Sequence, residues 1–583
     1  MKKTIALALS AAAIRLLPLQ KLHPLNWDEL EFWRATAWIA EGKVPYRDFW
    51  EHHTPLMWFL FAPFTWLTQS PGVDAVLLLR WAQIPVWIAM FWCLNAWMRN
   101  AGLERAARWS AMALALCSSM FMLPAIEYRV ESLGCLLFVA GLLLAQQKRD
   151  FAAGIVWCLA GLANLRLGPV LVVAVLLHLL NTGRASARPS GGGRAEARPT
   201  FRIVLGGLAA LAICLGYFAI NGALDELWQQ IWVDNRGERF ATPVIGGFVH
   251  RLLVPFGVRI LATDRLFEWA AVDVGGIAVL ILGFAGLVLV WRNPKLRGLA
   301  LLQLVNLLFV SSMKFIYNYH FALVVVLAIP LMAFVIERIP RELVAALLIL
   351  AWGVNAFASV FRGKENDLRY QDLIMREVHA RTRPGEKVWS GTPWALRREP
   401  AYRFWFMPEL ARQLVPQGLA PRYSMSDPPA AVVFDHNVLL WVGRVQRELA
   451  PYLVRHYMPV WRDLWVPAMN AVVRPNERVT FIVPRDGVYR LYASPELARH
   501  PWFRDPFSAY RGAPLMLRST PQPLSISAGP SLKKGQQVVV TSHAAEPLGI
   551  IMIAGNDRVL FRQPPNGASL EAETTRITHI PDL

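Results

Sequence analysis

Between residues 28 and 53 the chain concentrates groups that can hold or move charge. Asp28, Glu29 and Glu31 come first, and Asp48, Glu51, His52 and His53 follow, with Trp and Phe between them. A carboxylate in hydrogen-bond reach of a hydroxyl can take its proton as the oxygen attacks an electrophile. Successive residues on a helix point about 100° apart, so only one of Asp28 and Glu29 faces a given site. The second group has three readings. Asp48, Glu51 and His53 suit a divalent metal such as Mn or Zn, His52 or His53 suits a phosphate contact, and the whole suits a hydrogen-bonded structural cluster. Cations recur elsewhere: Arg129 in IEYRVES, Arg166 in ANLRLG, and Lys314 in SSMKFIYNYHFAL, where Tyr317, Tyr319 and His320 follow. Lys offers a point charge and Tyr a donor at headgroup level. The alternative for each cation is snorkelling from a helix end.

Composition says what must position these groups. Of 583 residues, 55% are hydrophobic and only 17% charged. The mean hydropathy is +0.34. That excludes a disordered or fibrous chain and points to a polytopic membrane protein. The 24 Trp fit, because Trp gathers at bilayer interfaces. The five Cys all lie in apolar stretches without a CxxC pair and read as packing residues.

Apolar runs centre on residues 4–19, 73–98, 109–123, 131–147, 152–163, 167–180, 203–221, 273–291, 298–313, 320–336 and 341–360, about eleven spans. The first follows Lys2 and Lys3 and is either a short first helix or a signal peptide. The net charge of +19 is a topology signal. Basic residues cluster in alternate loops: Arg99, Arg105 and Arg108; Lys148 and Arg149; Arg184 to Arg202; Arg292, Lys295 and Arg297; Arg338 and Arg341. This places the N-terminus in the cytoplasm and needs no nucleic acid. The loops 20–72 and 222–272 and everything after 360 then lie outside, as in a bacterial inner-membrane protein. Residues 1–360 form the membrane domain and 361–470 an α/β domain. Residues 471–583 form a β-rich module, in which Asp486-Gly487 signals a hairpin. The segment ELEFWRATAWIAEG reads as an interfacial amphipathic helix, and PLMWFLFAPFTWL as a second surface segment.

Asp28-Glu29, then Gly42-x-x-Pro45-Tyr46-x-Asp48 and His53-x-Pro55-Leu56, resembles the C-fold membrane glycosyltransferases, such as the protein O-mannosyltransferases and the aminoarabinose transferases of lipid A. The resemblance implies transfer of a sugar from a polyprenyl-phosphate carrier to a lipid, glycan or protein acceptor outside the membrane, with inversion. It implies Asp28 as the general base, with Glu29 the other candidate. Tyr46, Asp48, Glu51, His52, His53, Arg129, Arg166, Lys314, Tyr317 and Tyr319 are then expected around the carrier phosphate or sugar, with a divalent metal as the candidate cofactor. The competing reading is a polysaccharide ligase or polymerase using a polyprenyl-diphosphate-linked donor, which would depend on outer Arg and His and not on Asp28. A transporter would need charges deep in mid-span and paired repeats, which the sequence lacks. The loop 231–243, with Asp234, Arg236, Glu238 and Arg239, reads as a lid, an acceptor groove or plain surface.

Overall fold

The computed structural model describes residues 6, 9–10, 23–186, 199–235, 273–313, 317–362, 368–406, 409–461, 463–483, 485–499, 503, 524–526 and 531–554. The first apolar run, residues 4–19, lies almost wholly outside these. The chain divides into two units, residues 1–69 with 74–368, and residues 70–73 with 369–583.

In the first unit each later apolar run is helical, because in hydrocarbon a backbone must satisfy its own hydrogen bonds. The helices are α1 (Trp27–Ala40), α2 (Leu56–Phe61), α3 (Asp74–Asn100), α4 (Arg105–Leu116), α5 (Ser119–Ile126), α6 (Val130–Gln146), α7 (Asp150–Ala163), α8 (Gly168–Ser186), α9 (Pro199–Ile220), α10 (Leu224–Trp228), α11 (Val274–Leu289), α12 (Arg297–Ser312), α13 (Ala322–Ile336) and α14 (Arg341–Arg362). Four segments are long and apolar enough to cross a membrane: Asp74–Asn100, Phe201–Ile220, Val274–Arg292 and Tyr319–Ile336. The pair Arg105–Leu116 and Met120–Ile126, bent by 81°, makes a fifth if it is one span. Val130–Gln146, Asp150–Ala163, Leu165–Asn181 and Arg297–Ser312 are shorter apolar helices. The fold is thus that of a multi-pass membrane protein.

Small residues set the closest helix approach. A Cβ on Gly154 would stand 1.9 Å from the Ile203 carbonyl oxygen, and one on Gly206 would stand 2.1 Å from that of Phe151. Helices α7 and α9 therefore touch backbone to backbone, the packing that lipid favours. Charged and polar contacts gather at the helix ends. At one end Arg341 pairs with Glu104 at 3.1 Å and Gln146 donates to the Trp97 carbonyl. Arg129, just before α6, lies at the other end of that helix, roughly 25 Å away.

Helix α1 begins with a capping box: Asn26 accepts from the first turn and Glu29 accepts from the Asn26 N–H. It ends at Gly42, whose φ of +86° is the left-handed conformation a helix stop needs. Its middle is buried, so ELEFWRATAWIAEG is not an amphipathic helix with one wet face: Glu29, Glu31, Arg34 and Trp38 are all covered by protein. In the second surface segment, α2 continues into a 3-10 turn with Trp66 and Leu67 exposed.

The second unit is built on one mixed sheet of eight strands. Strands β1 (Lys387–Ser390), β2 (Glu399–Pro400) and β3 (Ala431–Val433) are parallel. They are followed in space by β5 (Leu464–Val473), which carries β4 (Tyr457–Trp461), and then by β11 (Leu548–Ala554), β7 (Gly487–Ser494) and β9 (Ser531–Leu532). A second sheet runs β6 (Arg478–Ile482), β10 (Gln537–Ser542), β8 (Leu524–Ile526). Met469, Phe481, Val538, Val540, Ile550 and Met552 fill one core with side chains from both sheets. The boundary expected at 470/471 falls inside β5, which pairs with β3 and β4 and also with β11. The hairpin expected at Asp486-Gly487 does not form. Strand β6 pairs with β10, β7 pairs with β11, and the Asp486 carboxylate accepts from the Lys534 N–H at 2.6 Å. A local turn signal was overridden because the two strands face different partners across the sandwich.

Candidate active site

Two neighbours at the start of α1 have opposite fates. Glu29 is fully buried and accepts four hydrogen bonds: Arg80 Nε at 2.7 Å, an Arg80 terminal nitrogen at 2.5 Å, the Tyr128 N–H at 2.8 Å and the Asn26 N–H at 3.0 Å. Its carboxylate has no reach left for a substrate. Asp28 keeps 16% of its side chain exposed and makes one ion pair, to Arg129 at 2.6 Å.

Arg129 is 1% exposed, and each of its three guanidinium nitrogens pairs with a carboxylate. One terminal nitrogen holds Asp28, the other holds Glu127 at 2.9 Å, and Nε reaches Glu131 at 3.3 Å. The ring of Tyr319 lies against it, 3.4 Å from Cζ to the centroid. Gln83 fixes the turn that carries Arg129, accepting the Arg129 N–H and donating to the Glu127 carbonyl. His23 caps Glu127 at 3.0 Å. Arg166 is different: its side chain is 33% exposed, it touches Glu131 at 3.4 Å, and it lies 5.7 Å from the Tyr319 ring. Tyr317 stacks on Tyr319 with ring centres 5.3 Å apart. Lys314 lies outside the described residues, as do Arg236, Glu238 and Arg239.

The second group assembles around a tight turn. Tyr46 has a φ of 70°, a left-handed backbone unfavourable for an aromatic residue. It is held by its own hydroxyl, which donates to the His53 carbonyl at 2.7 Å, and by Gln230, which donates to the Tyr46 carbonyl at 2.7 Å. Gln230 also accepts the Glu51 N–H at 2.8 Å, while Trp50 donates to Asp234 and Asn235 donates to the His52 carbonyl. The segment 229–235 thus straps the turn.

Glu31, Glu51, His52 and His53 bring one donor atom each within 4.8 Å of one another. His53 Nδ1 lies 3.0 Å from Glu51 and 3.1 Å from Glu31. Oε2 of Glu51 is buried without a hydrogen-bond partner among the described residues. Burial first, then the Glu51 and Asp28 charges, pushes the Glu31 carboxyl well above its usual range, and burial raises Glu51 too. Burial, then the Arg166 charge, holds His53 neutral down to about 3. Two carboxylates so placed need a shared proton or a cation between them, and the oxygen and nitrogen donors fit a divalent ion. Asp48 is not in this cluster. Its carboxylate takes the Val44 N–H at 2.7 Å and pairs with Arg47 at 2.8 Å. Glu31, read from the sequence only as one of the first acids, stands in its place.

The sequence reading passed over Arg80, Gln83, Gln230 and Asn306. Arg80 carried a usable signal, an arginine inside the apolar run 73–98, where a charge needs a partner. The amides carried none.

The fold is similar to that of a solved structure, ArnT. ArnT from Cupriavidus metallidurans aligns with a TM-score of 0.52 at 14% identity when bound to undecaprenyl phosphate, covering 76% of this chain and 94% of that one. Its apo form gives 0.52 at 13% identity over the same shares. The oligosaccharyltransferase of Archaeoglobus fulgidus, tethered to an acceptor peptide, aligns at 0.40 and 13% identity, over 74% of this chain and 69% of that one. No family model matches the sequence, and no curated protein matches it.

Proposed function

We propose that this protein transfers a sugar from a polyprenyl-phosphate carrier to an acceptor hydroxyl at the outer face of a bacterial inner membrane. Asp28 is the general base. The observation that carries this reading is one ion network with a partly open carboxylate at one end and a partly open guanidinium at the other: Asp28, Arg129, Glu131, Arg166. Asp28 takes the hydroxyl proton as the oxygen attacks the anomeric carbon. The bond from that carbon to the phosphate oxygen breaks, and the electron pair leaves with the lipid phosphate. Attack opposite the leaving group inverts the centre. Arg129 aims Asp28, because each of its three guanidinium nitrogens is held by a carboxylate. Arg166 faces the phosphate, with Tyr317 and Tyr319 beside it, Lys314 is assigned to the same phosphate from the sequence alone, and Tyr46 and the His52-His53 turn border the sugar.

Glu31, Glu51, His52 and His53 would hold a divalent ion, which supplies positive charge for a phosphate and neutralises the paired carboxylates. Around this site the reading places about eleven spans, a cytoplasmic N-terminus, and an outer region of α/β character to 470 and β character beyond. The carrier agrees with the undecaprenyl phosphate bound to ArnT. The test is mass spectrometry of outer lipids, glycans and glycoproteins from cells lacking the gene, complemented with wild type or Asp28→Asn. A sugar missing in the mutant and restored by wild type supports the reading. Normal transfer by Asp28→Asn with loss on Arg166→Ala turns it toward a diphosphate-linked donor.

A further inference from the structure

At the helix ends opposite Arg129, three segments bring basic residues together: 99–108, leading into α4; 292–297, between α11 and α12; and 337–342, between α13 and α14. They hold eight cations and three carboxylates. Contacts tie them to one another. Glu337 accepts the Glu104 N–H, Arg341 pairs with Glu104 at 3.1 Å, and a Cβ on Gly102 would stand 3.9 Å from Lys295 Nζ. Glu104 is thus held by Arg341, Glu337 also lies 3.8 Å from Arg338, and Glu342 is exposed. Arg99, Arg105, Arg292, Lys295 and Arg297 are exposed and make no ion pair among the described residues. Arg108 differs from them. It is 8% exposed, one terminal nitrogen donates to the Leu103 carbonyl at 2.9 Å, and Nε is buried with no partner among the described residues. Arg99 and Arg105 repel it, and only Glu337 attracts it. Arg80 and Arg129 are as deeply buried, yet each holds a carboxylate, at 2.5 and 2.6 Å.

A buried guanidinium without a matching anion is costly, and one in a membrane helix calls for a partner. An anion with acceptor oxygens supplies both the charge and the missing acceptor. The border of the cluster says where that anion comes from. Leu289, Trp291 and Leu343, beside Arg292 and Glu342 in the chain, are 51%, 44% and 61% exposed. A soluble anion has no use for such a border, whereas a phospholipid lays its acyl chains along it and its phosphate at the helix ends. We propose that Arg108, with Arg105 and Lys295, binds the phosphate of an anionic phospholipid of the surrounding bilayer. This site is distinct from the one around Asp28 and takes no part in the transfer reaction.

The test uses the full-length protein in neutral detergent micelles, titrated with phosphatidylglycerol, phosphatidylcholine and glycerol 3-phosphate, with bound ligand counted by native mass spectrometry. Wild type should bind phosphatidylglycerol more tightly than either other probe, and that lipid should raise its unfolding midpoint. Arg108→Gln should weaken phosphatidylglycerol by roughly 10- to 100-fold, the range for one hydrogen bond to a charged group, and leave phosphatidylcholine unchanged. Without lipid it should unfold no earlier than wild type, since it removes a buried charge and keeps a donor for the Leu103 carbonyl. Arg202→Gln, at an exposed cation beginning another helix, should change binding by no more than about threefold, the effect of one screened surface charge. Lys295→Gln, also at an exposed position, should lose more than Arg202→Gln, and it carries the test if Arg108→Gln does not fold. Equal losses in the Arg202 and Lys295 variants show diffuse attraction and overturn the site, as does wild-type affinity in Arg108→Gln. Phosphatidylcholine binding to wild type as tightly as phosphatidylglycerol overturns it too. Glycerol 3-phosphate binding as tightly as phosphatidylglycerol assigns the cluster to a soluble anion and overturns the lipid source.

Discussion

The structure separates Asp28 from Glu29, and paired substitutions test that separation. Asp28→Asn keeps an acceptor for Arg129, which retains Glu127 at 2.9 Å and Glu131 at 3.3 Å. Asp28 is also partly exposed, so its loss should cost only about 1 kcal/mol of stability. Loss of a general base should slow transfer by about 10²- to 10⁴-fold. Glu29→Gln does the reverse. Both Glu29 and Arg80 are 0% exposed, and the pair is held at 2.5 Å. Removing one partner strands a buried cation, at about 3–5 kcal/mol. Equilibrium unfolding in mixed micelles measures the stability of each variant. Mass spectrometry of complemented cells measures transfer. Glu29→Gln should be the unstable variant, and Asp28→Asn should be folded and inactive. Transfer by Asp28→Asn within tenfold of wild type would refute the base assignment. A Glu29→Gln protein as stable as Asp28→Asn would refute the structural role given to Glu29.

Other predictions follow from the same contacts. Burial holds His53 neutral in the fold down to about 3, against an ordinary value of 6.5, so the unfolded chain binds the extra proton between those values. Its contribution to stability is whole above about pH 6.5 and drains away as pH falls toward 3. Glu31 and Glu51 are raised and run the other way, costing stability as pH rises above 4.5. Thermal midpoints of wild type should therefore fall more steeply from pH 6.5 to 4 than those of His53→Gln, and parallel curves would contradict this. Mn or Zn should raise the wild-type midpoint and leave that of Glu51→Gln unmoved; an equal rise in both would place the metal elsewhere. Gly154→Leu should destabilise the membrane unit by forcing α7 off α9, where a Cβ already meets the Ile203 carbonyl at 1.9 Å. An unchanged unfolding midpoint would show that the two helices can separate freely.

The interior of the site shows how electrostatics and packing divide the work. Three carboxylates surround Arg129, more negative charge than one cation balances, and Arg166 shares Glu131 while His23 hydrogen-bonds Glu127. A network of this kind is stable only when complete. That is why residues with no direct part in chemistry, such as Gln83 and Gln230, hold the geometry of those that have one.

By itself the sequence determined where helices run after the first apolar run, because in lipid an apolar run has almost no alternative to a helix. It also determined that acids, histidines and tyrosines would gather near helix ends, since hydrocarbon repels them. It did not determine partners. Asp28 meets Arg129 across 101 positions, and Glu29 meets Arg80 across 51. Adjacent carboxylates with the same local signal became one open group and one sealed ion pair. The replacement of Asp48 by Glu31 in the cluster, and the parting of β6 from β7, have the same origin. Each depends on which surfaces the packed helices and sheets bring together, and a few degrees of side-chain direction then decide whether a charge meets water, a substrate or another charge.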